Sequence, residues 1–199
     1  MASRTDIANL ALTRLEVETV DNIDTADGLA ARTLKRAWDV QRDLALAAHP
    51  WNFATTWWRN LPAKPADQNP SPYHARAFDK PNDCLRVLRI GVDPRRGERF
   101  KVAEGLIVTN AAAPLTIYGI KRITDPGRYD TWFVEYFSAR LAWTCGKPLN
   151  ASEALRQAAK QDALRILSDA QSLDGQEGDP PQIFQDSFLE AREGGDWLE

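Results

Sequence analysis

The feature that most limits what this chain can become is a change of hydrophobic period part way along it. Apolar residues recur at helical spacing up to Pro50, in short strand-like runs between Trp51 and Thr124, and at helical spacing again from Asp125 to Leu173. A stretch patterned for one period does not settle into the other, so the order helix, strand, helix is written into the chain.

Ser3 predicts the first helix start, its hydroxyl capping the amide of Asp6, with Ile7, Leu10, Ala11 and Leu15 on one face and an end near Glu16. Thr25 or Asp27 opens a longer helix with Ala30, Leu34, Ala37, Gln41, Leu44 and Ala48 inward, stopped by Pro50. Strand-type runs follow at Phe53 to Leu61, Leu85 to Val92, Phe100 to Val102, Leu106 to Thr109 and Leu115 to Ile120. The proline-rich stretch from Pro62 to Pro72 reads as a surface loop. After Asp125 and Pro126, a helix containing Trp132, Phe133, Tyr136, Phe137, Leu141 and Trp143 is apolar almost all round, which predicts a central position. Asn150 with Glu153 caps the last helix, whose inward face is Leu155, Ala159, Ala163, Ile166, Leu167 and Ala170. The expected fold is α+β but mainly α: an antiparallel bundle of about four helices from 1–50 and 125–174, a small antiparallel β-rich insertion at 51–124, and an extended acidic C-terminal tail at 175–199.

At 199 residues, 43% of them hydrophobic, the chain is long enough for one substantial core with appendages. No window approaches the roughly 18 uninterrupted apolar residues of a membrane span, and the N-terminus leads into an amphipathic segment, so a cytosolic protein is expected. Cys84 and Cys145 are too few and too far apart for a disulfide framework or a zinc pair. The net charge of −3 is unevenly distributed: eight acids from Asp174 to Glu199 face Arg192 alone, a net of −7, which leaves +4 on residues 1–173.

Acid–base chemistry near neutrality would have to come from His49 or His74, and neither sits in a catalytic motif. His49 reads as a helix-terminal imidazole and His74 as a surface residue. Asp125 and Asp130 resemble a carboxylate pair, but their placement suits capping, one holding the turn at Pro126 and Gly127 and the other starting the helix that follows. Phosphate-loop, zinc-protease and nucleophile-elbow patterns are missing. The expectation is a non-enzyme without cofactor or metal, with an enzyme working through Asp125 or His49 as the weaker alternative.

One charged stretch stands out. Arg86, Arg89, Arg95, Arg96, Arg99 and Lys101 fall within sixteen positions, opposed only by Asp93 and Glu98. Such a face meets phosphate or an acidic protein surface when it is not simply solvated, so a DNA-binding module is a further alternative. The acidic tail of a neighbouring subunit is another candidate partner, and Ile183, Phe184, Phe188 and Trp197 make that tail apolar enough to dock.

Four short motifs in order carry a resemblance. They are His49-Pro50-Trp51-Asn52-Phe53-Ala54 after a helix, Asp83-Cys84-Leu85-Arg86-Val87 opening a strand, Ala113-Pro114-Leu115 with Tyr118 before Ile123-Thr124-Asp125-Pro126, and Tyr129-Asp130-Thr131-Trp132-Phe133-Val134-Glu135 entering the helix that ends near Lys147-Pro148-Leu149. In order and spacing this resembles the tail tubular protein A family of bacteriophage head-to-tail adaptors over most of residues 5–178. The resemblance implies a virion protein, assembled in the host cytoplasm as a ring of about twelve copies. Such a ring sits between the portal protein and a tail tube or nozzle protein. Genomic DNA passes through it without sequence-specific binding, and no membrane is involved. The resemblance also implies that the C-terminal extension, about Gly175 to Glu199, reaches toward the portal, with Ile183, Phe184, Phe188 and Trp197 as its anchors.

Overall fold

The computed structural model describes residues 2–92 and 98–177, with 174–177 as backbone alone. Four helices, α1 (Arg4–Thr13), α2 (Leu29–Ala48), α3 (Thr131–Cys145) and α4 (Glu153–Glu177), flank six strands: β1 (Thr55–Leu61), β2 (Arg76–Asp79), β3 (Cys84–Ile90), β4 (Phe100–Ala103), β5 (Leu106–Thr109) and β6 (Leu115–Lys121). The strands form two antiparallel three-stranded sheets, ordered β1-β6-β3 and β2-β5-β4.

This overturns the expected helical bundle with a small insertion. The architecture is mixed, four helices with two sheets, and the sheets bury a core of their own. Phe78, Cys84, Ile90, Ile107, Ala111, Leu115 and Ile117 form that cluster, with Trp58, Leu61, Val87 and Phe100 packed on its edge. The sequence reading missed β2, a four-residue strand directly after the proline-rich stretch. Its register against β5, with Phe78 opposite Ile107 and Ala77 opposite Val108, completes the second sheet.

The larger core belongs to the helices. α3 packs against each of the other three. Its buried side chains, among them Phe133, Tyr136, Phe137, Leu141 and Cys145, lie on every side of the helix, as its sequence predicted. Trp132 is the departure: it is 42% exposed. In α2 the inward face is turned by one residue from the expected one, to Ala31, Leu34, Trp38, Arg42, Ala45 and Leu46. Burying Trp38 edge-on against Phe137, centroids 4.9 Å apart, outweighs burying Gln41 and Leu44. The turn carries Arg42 inward too, where its guanidinium bonds Asp39 at 2.7 Å and Asp43 at 2.8 Å. In α1 the burial includes Ala8 and Leu12 and leaves Leu10 exposed.

Local chemistry sets the helix starts. Ser3 and Asp6 form the reciprocal capping box, and hydrogen bonding from the Ser3 amide, then from the Ser3 side chain, holds the Asp6 carboxyl below its ordinary range. Asp130 accepts from the Phe133 amide at 2.6 Å, and Asp125 from the Gly127 amide at 2.9 Å. Two starts differ from expectation. Gly28, not Thr25 or Asp27, caps α2. Ser152 Oγ, not Asn150, accepts from the Leu155 amide at α4, because Asn150 holds a left-handed backbone (φ 57°) in the preceding turn. α4 continues through Gly175 to Glu177, past the point where the tail was expected to begin.

Helices and sheets meet in a joint of aromatic rings. Trp51 lies 5.3 Å from Phe133 and 5.8 Å from Tyr136, while Phe53 lies 5.8 Å from Tyr129 and 5.3 Å from Phe133. The polar ends are satisfied: the Trp51 indole donates to the Ala45 carbonyl at 3.1 Å, and the Tyr129 hydroxyl to the Ile123 carbonyl at 3.0 Å.

Candidate functional site

Alternation along a strand sends successive side chains to opposite faces of a sheet. In the first sheet this puts Trp58, Leu115 and Ile117 into the inter-sheet core and Trp57 and Tyr118 on the opposite face. Trp57 stands directly across from Tyr118, ring centroids 4.9 Å apart, and Arg89 of β3 pairs with Tyr118 from the other side. The Arg89 guanidinium carbon lies 4.8 Å from the Trp57 ring and 5.0 Å from the Tyr118 ring. A cation held against two rings gains on the order of 0.5 to 2 kcal/mol and loses its freedom of rotamer.

Arg86 shares this face, although three residues separate it from Arg89 and simple alternation would oppose them. A register irregularity in β3 between Val87 and Arg89 restores the parity, so Arg86 sits across from Ile120 and Arg89 across from Tyr118. The strands come so close there that only glycine fits at 119: a Cβ on Gly119 would lie 2.4 Å from the Arg86 carbonyl oxygen. Arg59, two residues beyond Trp57 in β1, is exposed.

The charge of this face is uncompensated among the described residues. Arg59, Arg86 and Arg89 have no carboxylate partner, and Arg89 Nε is buried without a hydrogen bond. The nearest acid along β3, Asp83, is occupied by the Trp58 indole at 3.1 Å and by Lys121 at 3.4 Å. Arg86 reaches only to 3.5 Å from the Ala47 carbonyl.

The basic stretch read from the sequence is therefore divided. Arg86 and Arg89 lie together on the first sheet, while Arg99 and Lys101 belong to the exposed edge of the second. Arg95 and Arg96 fall outside the described residues, as do Ile183, Phe184, Phe188 and Trp197 of the expected tail contact. The aromatic half of the site, Trp57 and Tyr118, was missed. Its signal was present in the Trp57-Trp58 pair, of which alternation allows only one to face the core.

The residues weighed for catalysis take structural places. His49 is buried at the end of α2, edge-on to Trp51 at 5.0 Å. His74 Nδ1 lies 2.7 Å from Ser71 Oγ within the proline-rich turn. Asp125 lines an open cleft of about 600 Å³ with Arg4, Asp24, Trp38, Asp39 and Arg42. There Arg4 pairs with Asp24, and Arg42 with Asp39. Burial pushes both thiols up, Cys145 to about 11, which leaves them protonated and poorly nucleophilic at neutral pH. No group of three or more His, Cys, Asp or Glu residues that could hold a metal ion occurs among the described residues, and no described helix is long and apolar enough to cross a membrane. Compared with known protein families and with curated proteins, the chain finds no match.

Proposed function

We propose that this chain is a structural adaptor subunit of the head-to-tail junction of a tailed bacteriophage, assembling as a ring between portal and tail and leaving a passage for DNA. The observation that carries the reading is the ordered set of four motifs. Two of them, around His49 to Ala54 and Tyr129 to Glu135, lie far apart in sequence and supply the rings of the helix–sheet joint. Their joint presence therefore has a structural reason, since each motif supplies one side of the same contact.

A closed ring also needs two unlike surfaces on each protomer. One candidate is the outward stripe of α2, where Leu29, Val40 and Leu44 fall on one side of the helix and Val40 is 60% exposed. Portal rings mixed with the full chain and imaged by electron microscopy test the reading. A second ring stacked on the portal is the expected product, and portal rings that stay bare at saturating chain overturn it.

A further inference from the structure

The outer face of the first sheet holds a Trp, a Tyr and an Arg in contact, the residue types that dominate binding surfaces. Arg89 is preset against both rings, and three arginines there lack an acidic partner among the described residues. A complement to such a face carries carboxylates with aromatic groups between them.

The chain contains that complement. Residues 178–199 hold Asp179, Asp186, Glu190, Glu193, Asp196 and Glu199 against Arg192, a net of −5, interleaved with Phe184, Phe188 and Trp197. Reach is no obstacle: 22 residues span up to roughly 70 Å when extended, against a radius of gyration of about 16 Å for a folded body of this size. A tether of this kind gives an effective concentration in the range of about 1 mM, above that of free protein in ordinary solution, which favours the same copy over a second one.

We propose that segment 178–199 docks on the Trp57, Tyr118 and Arg89 face of its own chain, its carboxylates meeting Arg86 and Arg89 and its aromatic side chains covering the rings. Duplex DNA is the lesser fit, because phosphate binding draws on many spread cations, and this face gathers only Arg59, Arg86 and Arg89 among the described residues. The inference concerns a contact within one chain and stands whether or not the protein is a phage adaptor.

The test places p-benzoylphenylalanine at Phe188 of the full chain, irradiates, and maps the adducts by mass spectrometry. Adducts are expected on β1, β3 and β6, at the mass of one chain. Their yield should drop about tenfold in Arg86→Gln with Arg89→Gln, and likewise in about 0.5 M salt. Asp186→Asn with Glu190→Gln, which leaves the sheet untouched, should give the same loss and guards against a folding artefact in the arginine variant. Adducts confined to other surfaces, adducts at the mass of two chains, or a yield indifferent to all four substitutions overturn the proposal. So does a duplex of roughly 20 base pairs that binds the unaltered chain and is lost in Arg89→Gln while the adduct persists.

Discussion

The two cores of this molecule use their aromatic residues in opposite ways. In the helical core Trp38, Trp51, Phe133, Tyr136 and Phe137 converge inward, ring on ring. Between the sheets the packing is mostly aliphatic, and Trp57 and Tyr118 are turned to the outer face with a cation against both. Large rings buried deep stabilise, whereas rings held at a surface beside an unpaired arginine are available for recognition. The division places the ring packing in the helices and leaves the outer face of the first sheet to the proposed contact.

The largest test of that division compares neighbours on α3. Phe137→Ala removes a fully buried ring and should cost on the order of 3 to 5 kcal/mol in urea unfolding, while Trp132→Ala, at a position left 42% exposed, should cost less than about 1 kcal/mol. Equal costs would mean that exposure on this helix does not track its contribution to the core.

The joint between the regions has its own pH signature. Burial pushes the Tyr129 hydroxyl up to about 12, so the folded state favours the protonated phenol. The associated stability is fully present below the ordinary tyrosine value of about 10 and is lost as pH rises toward 12, a decline of about 2 to 3 kcal/mol. Tyr129→Phe should flatten that decline in thermal melts taken between pH 9 and 12, at the cost of leaving the Ile123 carbonyl without its donor. An unchanged slope would place the alkaline loss elsewhere, with Cys145 the next group to examine.

The smallest expected effect sharpens the sheet side of the comparison. Gly119→Ala pushes a methyl into the Arg86 carbonyl and should cost about 1 to 3 kcal/mol. Because the clash lies at the β3 irregularity that sets Arg86 and Arg89 on one face, the guanidinium of Arg89 should also lose its ring contact, read as a change in Trp57 fluorescence. Destabilisation with the Trp57 signal intact would show that the face does not depend on this close approach.

What the sequence disclosed follows from how local each feature is. Caps depend on a few adjacent residues, and Ser3, Asp125 and Asp130 were legible for that reason. The face of α4 was legible because its apolar positions keep one period. α2 misled because Trp38 and Ala45 compete with Ala37 and Leu44 for the inward side, and only the partner Phe137 decides between them. Nearly uniform apolarity in α3 carried no phase, so Trp132 could not be singled out. The second sheet was hidden by the shortness of β2, whose pairing with β5 is a long-range choice. At the candidate site the arginines were visible as a run, but their separation onto two sheets follows from long-range strand pairing, and the shared face of Arg86 and Arg89 from a register shift, neither of which a local pattern announces.

The ring-on-ring joint has a mechanical consequence. The chain passes between helices and sheets twice, after α2 near Trp51 and before α3 near Tyr129, and both passages are clamped in the same set of rings. A doubly anchored joint of edge-on and tilted rings resists bending and torsion together, where a single flexible strand would resist neither. A pull on the first sheet is therefore delivered to α3 as a force on a stiff lever instead of being absorbed at a hinge.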